Sequence, residues 1–123
     1  MENITFDTGL RSYRVGNGVL RFNPADPNLY ARFQQALEGI ETLEETLKGE
    51  TDTVSRLADA DKKAKALLSQ VFGSDVEEVF GGLSLLAVGE NGQLLLTNFL
   101  NAIEPILTEG ARRCAAAEGA RLR

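Results

Sequence analysis

Carboxylates are the side chains of this chain best suited by type and spacing to chemistry. Glu41 and Glu45 stand four residues apart, and Glu77 and Glu78 are adjacent. A carboxylate pair works as general acid and base, or holds a divalent cation, only in a sheltered pocket that drives the two pKa values apart. Glu41 and Glu45 fall on the polar side of a helical pattern, where water is expected instead. Composition removes other chemistries. The chain has no histidine, so Ser-His-Asp and Cys-His activation and any His-containing metal site are excluded. Cys114 is the single cysteine, which excludes an internal disulfide and a thiolate cluster; its place on the tail reads as incidental. "GGLSLL" around Ser84 lacks the second glycine of a nucleophile elbow. "GNGVLR" (16–21) opens like a dinucleotide fingerprint but lacks its third glycine and has no helix behind it, so it reads as a hairpin turn. No catalytic residue, cofactor or metal site is expected, and the chain reads as a non-enzyme.

Charge narrows the partners. The net charge of −5 argues against non-specific binding to nucleic acid or an anionic membrane. Residues 38–52 carry Glu38, Glu41, Glu44, Glu45, Glu50 and Asp52 against Lys48 alone, whereas 110–123 carry Arg112, Arg113, Arg121 and Arg123 against Glu118. The tail is therefore +3 and the body −8. Such asymmetry orients partners or copies of the chain, or is a solvated acidic face beside a soluble tail. Arg11, Arg14 and Arg21 lie on or near the polar face of the hairpin, either as a basic strip for an acidic partner or as balance for the sheet's own surface. No apolar run approaches the ~18 residues that span a bilayer. "MENITFDTG" has no basic n-region or apolar h-region, so no signal peptide is expected. With one cysteine, a reducing cytoplasm is the expected compartment.

The elements follow from periodicity and punctuation. "RSYRV" (11–15) and "VLRF" (19–22) alternate apolar and polar residues around Gly16-Asn17-Gly18, which predicts a hairpin; "ITF" (4–6) offers a third short strand. A lone hairpin is marginal in water, so its apolar face must lie on something. "NPADP" ends the sheet, with Asp26 as N-cap and Pro27 at the first helical position. Leu29, Phe33, Ala36, Ile40, Leu43 and Leu47 predict a helix to about Lys48, with Leu37 widening the stripe and Gly49 as C-cap. A second helix is predicted over about 52–72, with Val54, Leu57, Ala64, Leu68 and Val71 inward and "DADKKAK" mostly outward, antiparallel to the first. "SDVEEVF" predicts a short helix with a Ser74–Glu77 capping box, stopped by Gly81-Gly82. A last helix is predicted from about Asn91 to Glu109, with "LSLLAV" as an extended or loosely helical lead-in. Asn91-Gly92 competes as a hairpin signal, and Pro105 is expected to kink the helix or mark its last turns. The fold class is α+β, mostly α: an N-terminal β-hairpin, with a third strand as an option, packed on three to four helices. The chain reads as one domain, 1–123, divided into a hairpin region (1–23), a helical region (26–109) and a frayed basic tail (110–123).

Two stretches carry a family resemblance. "YRVGNGVLRFNPADPNLYARF" resembles the opening of small tail assembly chaperones of long-tailed, siphovirus-like bacteriophages and prophages, in which a short hairpin runs into an Arg-Phe-Asn-Pro-x-Asp-Pro-like segment and a long helix. "VFGGLSLLAVGENGQLLLTNFLNAI" (79–103) is similar to that family's Phe-Gly, glycine turn and apolar helix ending in Ala-Ile. Together they cover about 45 of 123 residues. Family members often end in a longer, more basic tail; this chain ends in "ARRCAAAEGARLR". The resemblance implies a non-enzymatic protein that binds the tape measure protein and keeps it soluble until tube subunits polymerise around it. It also implies work in the bacterial host cytoplasm and absence from the mature virion. A homo-oligomer is expected, with no nucleic acid or membrane partner. Since the 29–47 and 95–107 stripes serve the core first, the partner-binding candidates are the surplus positions Leu37, Leu94 and Leu100, with Arg112 and Arg113 on the tail. Two alternatives remain at this point: a small phage- or host-encoded regulator that binds another protein in defence or counter-defence, and a structural subunit of the virion.

Overall fold

Alternation and turn chemistry coincide at the hairpin. In the computed structural model, which describes residues 1–47, 54–73 and 76–121, β1 (Arg11–Val15) pairs antiparallel with β2 (Gly18–Phe22). Gly16 takes a φ of 57° at the first central position of the two-residue turn, the sign a type II′ turn requires. Tyr13↔Leu20 and Val15↔Gly18 set one face inward, while Ser12↔Arg21 and Arg14↔Val19 set the other toward solvent. The optional third strand does not form. Asn23, one residue beyond β2, donates through Nδ2 to the Thr8 carbonyl at 3.1 Å, and the Gly9 N–H donates to Asp7 Oδ1 at 2.9 Å. The chain is thus held past the end of the ladder, where no strand edge is available to residues 4–6. Ile4 and Phe6 stay 90% and 74% exposed.

The passage from sheet to helix follows the side chains of "NPADP". The Ala25 N–H donates to Asn23 Oδ1 at 2.8 Å, and the Asn28 N–H donates to Asp26 Oδ1 at 2.9 Å, which is N-capping. Helix α1 (Pro27–Leu47) buries Leu29, Phe33, Ala36 and Ile40, while Leu43 and Leu47 are half-buried. Helix α2 (Val54–Phe72) runs antiparallel beside it: Arg32 Nε donates to the Val71 carbonyl at 3.2 Å at one end, and Leu43 and Leu47 lie beside Arg56 and Ala60 at the other. Lys48, Gly49, Asp52, the Val54 side chain and Ser74, which carried boundary and capping expectations, lie outside the described residues. Leu57, expected inside, is 39% exposed. Lys65, expected outside, is buried. Helix α3 (Val76–Phe80) buries Val76, Val79 and Phe80 and ends at Gly81-Gly82.

Both ends of the last helix differ from expectation. Helix α4 (Leu95–Arg121) starts four residues later than Asn91, because Asn91-Gly92 does form its turn. The Gly92 N–H donates to the Gly89 carbonyl at 2.9 Å and the Gly89 N–H to the Gln93 carbonyl at 2.8 Å, with Gly92 at a φ of 81°. This is a type I turn closed by a left-handed glycine. The first α4 N–H groups then donate backwards, Leu95 to the Ala87 carbonyl and Leu96 to the Leu85 carbonyl, both at 2.8 Å. The tail expected to fray is helical to Arg121. Pro105 does not end the helix. It removes one donor to the carbonyl of Asn101, and Asn101 is exposed, so water can serve that carbonyl.

An aromatic chain joins the parts. Tyr13 stacks on Phe22 (centroids 4.7 Å), Phe22 meets Phe72 of α2 (5.0 Å), and Phe99 of α4 meets Phe72 and Phe80 edge-on at 6.3 and 5.4 Å. Around it Leu20, Leu68, Val71, Val76, Leu85 and Leu107 are fully buried.

Gly110 explains the ordered tail. A Cβ built there would stand 1.7 Å from the Pro24 carbonyl oxygen, so α4 lies with its backbone directly on the segment before α1. Gly119 has nothing within 4 Å. Opposite outcomes are expected from the same change. Gly110→Ala should lose about 2 kcal/mol or more, since backbone cannot give way, whereas Gly119→Ala should gain about 0.5 kcal/mol from helix propensity. Urea unfolding of the two variants checks the pair.

Candidate functional site

The carboxylates are not gathered for catalysis. Glu41 and Glu45 are exposed on α1. Glu77 and Glu78 diverge: Glu78 is exposed, and Glu77 reaches Lys65 Nζ at 2.5 Å. Lys65 also meets Asp61 Oδ2 at 3.0 Å, and Asp61 Oδ1 accepts the Leu85 N–H at 2.7 Å. Burial by itself would lower the Lys65 pKa. The hydrogen bonds to Glu77 and Asp61, with their negative charges, outweigh it and hold the ammonium above its ordinary value. The cluster thereby clamps α2, α3 and the segment before α4. Its trace in the sequence is the Asp61/Lys65 spacing of four; that Lys65 turns inward is set by what α3 places over it. Among the described residues, no group of three or more His, Cys, Asp or Glu side chains could hold a metal ion.

What the surface offers is concave and apolar. One groove of about 180 Å³ lies between the hairpin and α4, lined by Tyr13, Val15, Phe99, Ala102, Ile103 and Ile106, with Arg14 at its edge. A second, of about 260 Å³, lies between the start of α1 and the end of α4, where Tyr30 faces Ala111, Cys114 and Ala115. A third, of about 450 Å³ and larger than these two, is bounded by Leu57, Ala58 and Lys62 of α2 and by Ser84, Leu86 and Ala87, with Asp61 and Glu77 in its wall. Leu57 is 39% exposed in that wall, and Leu83 and Val88, which flank the lining stretch, are 49% and 65% exposed.

None of the five partner-binding candidates lines these three grooves. Leu37 and Leu100 are half-buried and pack against the core. Leu94 is half-buried and bridges to Val88. Arg112 grips Glu109 of the preceding turn through two hydrogen bonds, its Nε at 2.9 Å from Oε2. That grip holds the Glu109 carboxyl below the usual range and raises Arg112. Arg113 is half-buried, and its Nε has no hydrogen-bond partner among the described residues. The exposed large apolar side chains are instead Leu57, Leu83 and Val88, Val19 and Tyr30, and those along residues 1–10. Leu57 fits the α2 stripe by spacing, so periodicity hides its exposure. Ile4 and Phe6 were visible only as a short strand.

No protein-family profile, curated protein or solved structure matches this chain. No helix among the described residues is long and apolar enough to cross a membrane.

Removing the cation from the clamp tests its weight. Lys65→Met should lower stability by about 2–3 kcal/mol near neutral pH, below the full value for a buried pair because Glu77 is half-exposed. A raised lysine pKa stabilises fully below the unfolded value of about 10.4 and is lost as pH rises through the folded one. The gap between wild type and Lys65→Met should therefore be constant at neutral pH and close above about pH 10.4. Chemical denaturation at a series of alkaline pH values measures it.

Proposed function

We propose that this chain is a non-enzymatic tail assembly chaperone of a long-tailed bacteriophage or prophage, which binds the tape measure protein and keeps it soluble before the tail tube polymerises. The observation that carries the reading is the exposed aliphatic set Leu57, Leu83 and Val88 beside the groove between α2 and residues 84–87. A tape measure is a long helical chain with apolar stripes that aggregates when unprotected. A groove edged by separate aliphatic side chains suits the anchors of an amphipathic helix at three- and four-residue spacing. The exposed acids of α1, Glu38, Glu41, Glu44 and Glu45, keep such a complex dissolved. The resemblance of residues 13–33 and 79–103 supplies the identity of the partner. The protein then acts in the host cytoplasm and leaves before the virion matures.

Co-expression with a fragment of the tape measure protein encoded beside its gene tests the reading. The wild-type chain should hold the fragment in the soluble fraction and co-purify with it. Leu57→Asp should weaken the complex at least about tenfold, the effect of withdrawing one buried leucine, with its helical circular dichroism retained, and Val88→Asp, at a residue 65% exposed, should weaken it likewise with an unchanged thermal midpoint. Failure of the wild-type chain to rescue or retain the fragment would exclude the assignment. Finding the chain in purified virions by mass spectrometry would favour a structural subunit instead.

A further inference from the structure

We propose that residues 1–10 of one copy dock on a second copy as a strand added to the free edge of β1, with Phe6 seated in the groove between β1 and α4. Three features of the fold bear on this. The first is the unsatisfied edge. Val15 and Gly18 flank a two-residue turn and form a hydrogen-bonded pair, so alternation along β1 points the backbone groups of Ser12 and Arg14 away from β2. No other backbone partner meets them among the described residues. The second is a matching strand. Ile4 and Phe6 share one side of an extended chain and are 90% and 74% exposed, while Asn3, Thr5 and Asp7 share the other. Laid along β1, the first set faces the apolar groove beside Val15, Phe99 and Ile106. The second set then lies beside Ser12 and Arg14. The third is charge. Residues 1–10 carry Glu2 and Asp7 and no Lys or Arg, whereas β1 carries Arg11 and Arg14 and no acid.

The occupant is a second copy because the chain's own segment is directed elsewhere. Asn23 holds Thr8, and a Cβ on Gly9 would stand 2.6 Å from the Asn23 Nδ2, so the chain leaves the ladder beside the end of β2, away from the outer edge of β1. Exchange of two such segments about a two-fold axis is self-complementary and closes as a dimer. This surface is separate from the Leu57 groove, so dimerisation and retention of a tape-measure fragment are measured independently, and either can fail without the other.

Sedimentation equilibrium of the full chain across a wide concentration range should show a monomer–dimer equilibrium that weakens with added salt. Phe6→Asp should raise the dimer dissociation constant at least about tenfold, with a thermal midpoint equal to that of the wild type at concentrations where both are monomeric, since the exposed Phe6 lies outside the monomer's core. Arg14→Glu should weaken the dimer, and Asp7→Lys added to it should recover part of the loss. Chains carrying Phe6→Cys and Ala102→Cys separately, each with Cys114→Ser, should cross-link to each other on mild oxidation. A monomer at every concentration, a dimer indifferent to Phe6→Asp, or no cross-link between the two chains overturns the proposal.

Discussion

Phe22 joins the sheet to the helices, and the rest of the fold is arranged around that contact. A two-stranded ribbon has too little apolar area to hold itself in water. Here the ribbon turns Tyr13, Leu20 and Phe22 inward, and Phe22 meets Phe72 of α2, which meets Phe99 of α4. The aromatic line therefore joins the hairpin to α2, α3 and α4. Few aromatics serve this chain, but four of the six phenylalanines fall on or beside that line, at Phe22, Phe72, Phe80 and Phe99.

The irregular stretch between α3 and α4 is held by polar contacts instead. Leu85 is fully buried, yet its neighbours carry no regular ladder. Its N–H goes to Asp61 and its carbonyl takes the Leu96 N–H, so both backbone groups are satisfied in a buried setting where leaving them open would cost stability. The same Asp61 holds Lys65. One acidic side chain thus positions the segment that borders the Leu57 groove, and the shape of that groove follows from the clamp.

The surface divides by character. The outer side of α1 is acidic and solvated, the outer face of the hairpin is basic, and apolar side chains emerge where elements meet or where the chain runs free. A protein that works by lending apolar surface to other polypeptides needs such a division: exposed aliphatics for attachment, and charge elsewhere to stay dispersed. The two proposed attachment surfaces are separate, so the self-association and the partner binding proposed for them do not compete.

Local chemistry was legible residue by residue. Gly16-Asn17, the Asp26 cap before Pro27, the Leu29–Ile40 stripe and the stop at Gly81-Gly82 each act through neighbours within a few positions, so spacing alone predicts them. The α+β class followed from the same signals. Other features depend on what distant segments place nearby. Whether Lys65 faces in or out is decided by Glu77 and Asp61 across two helices. Whether residues 110–121 fray is decided by Pro24, against which Gly110 lies. Whether residues 4–6 form a strand is decided by the hydrogen bond of Asn23 to Thr8. The exposed apolar surfaces belong to this second kind: a leucine at core spacing, such as Leu57, becomes surface because no described element covers it, and no local pattern in the chain records which side of a helix will be left without a neighbour.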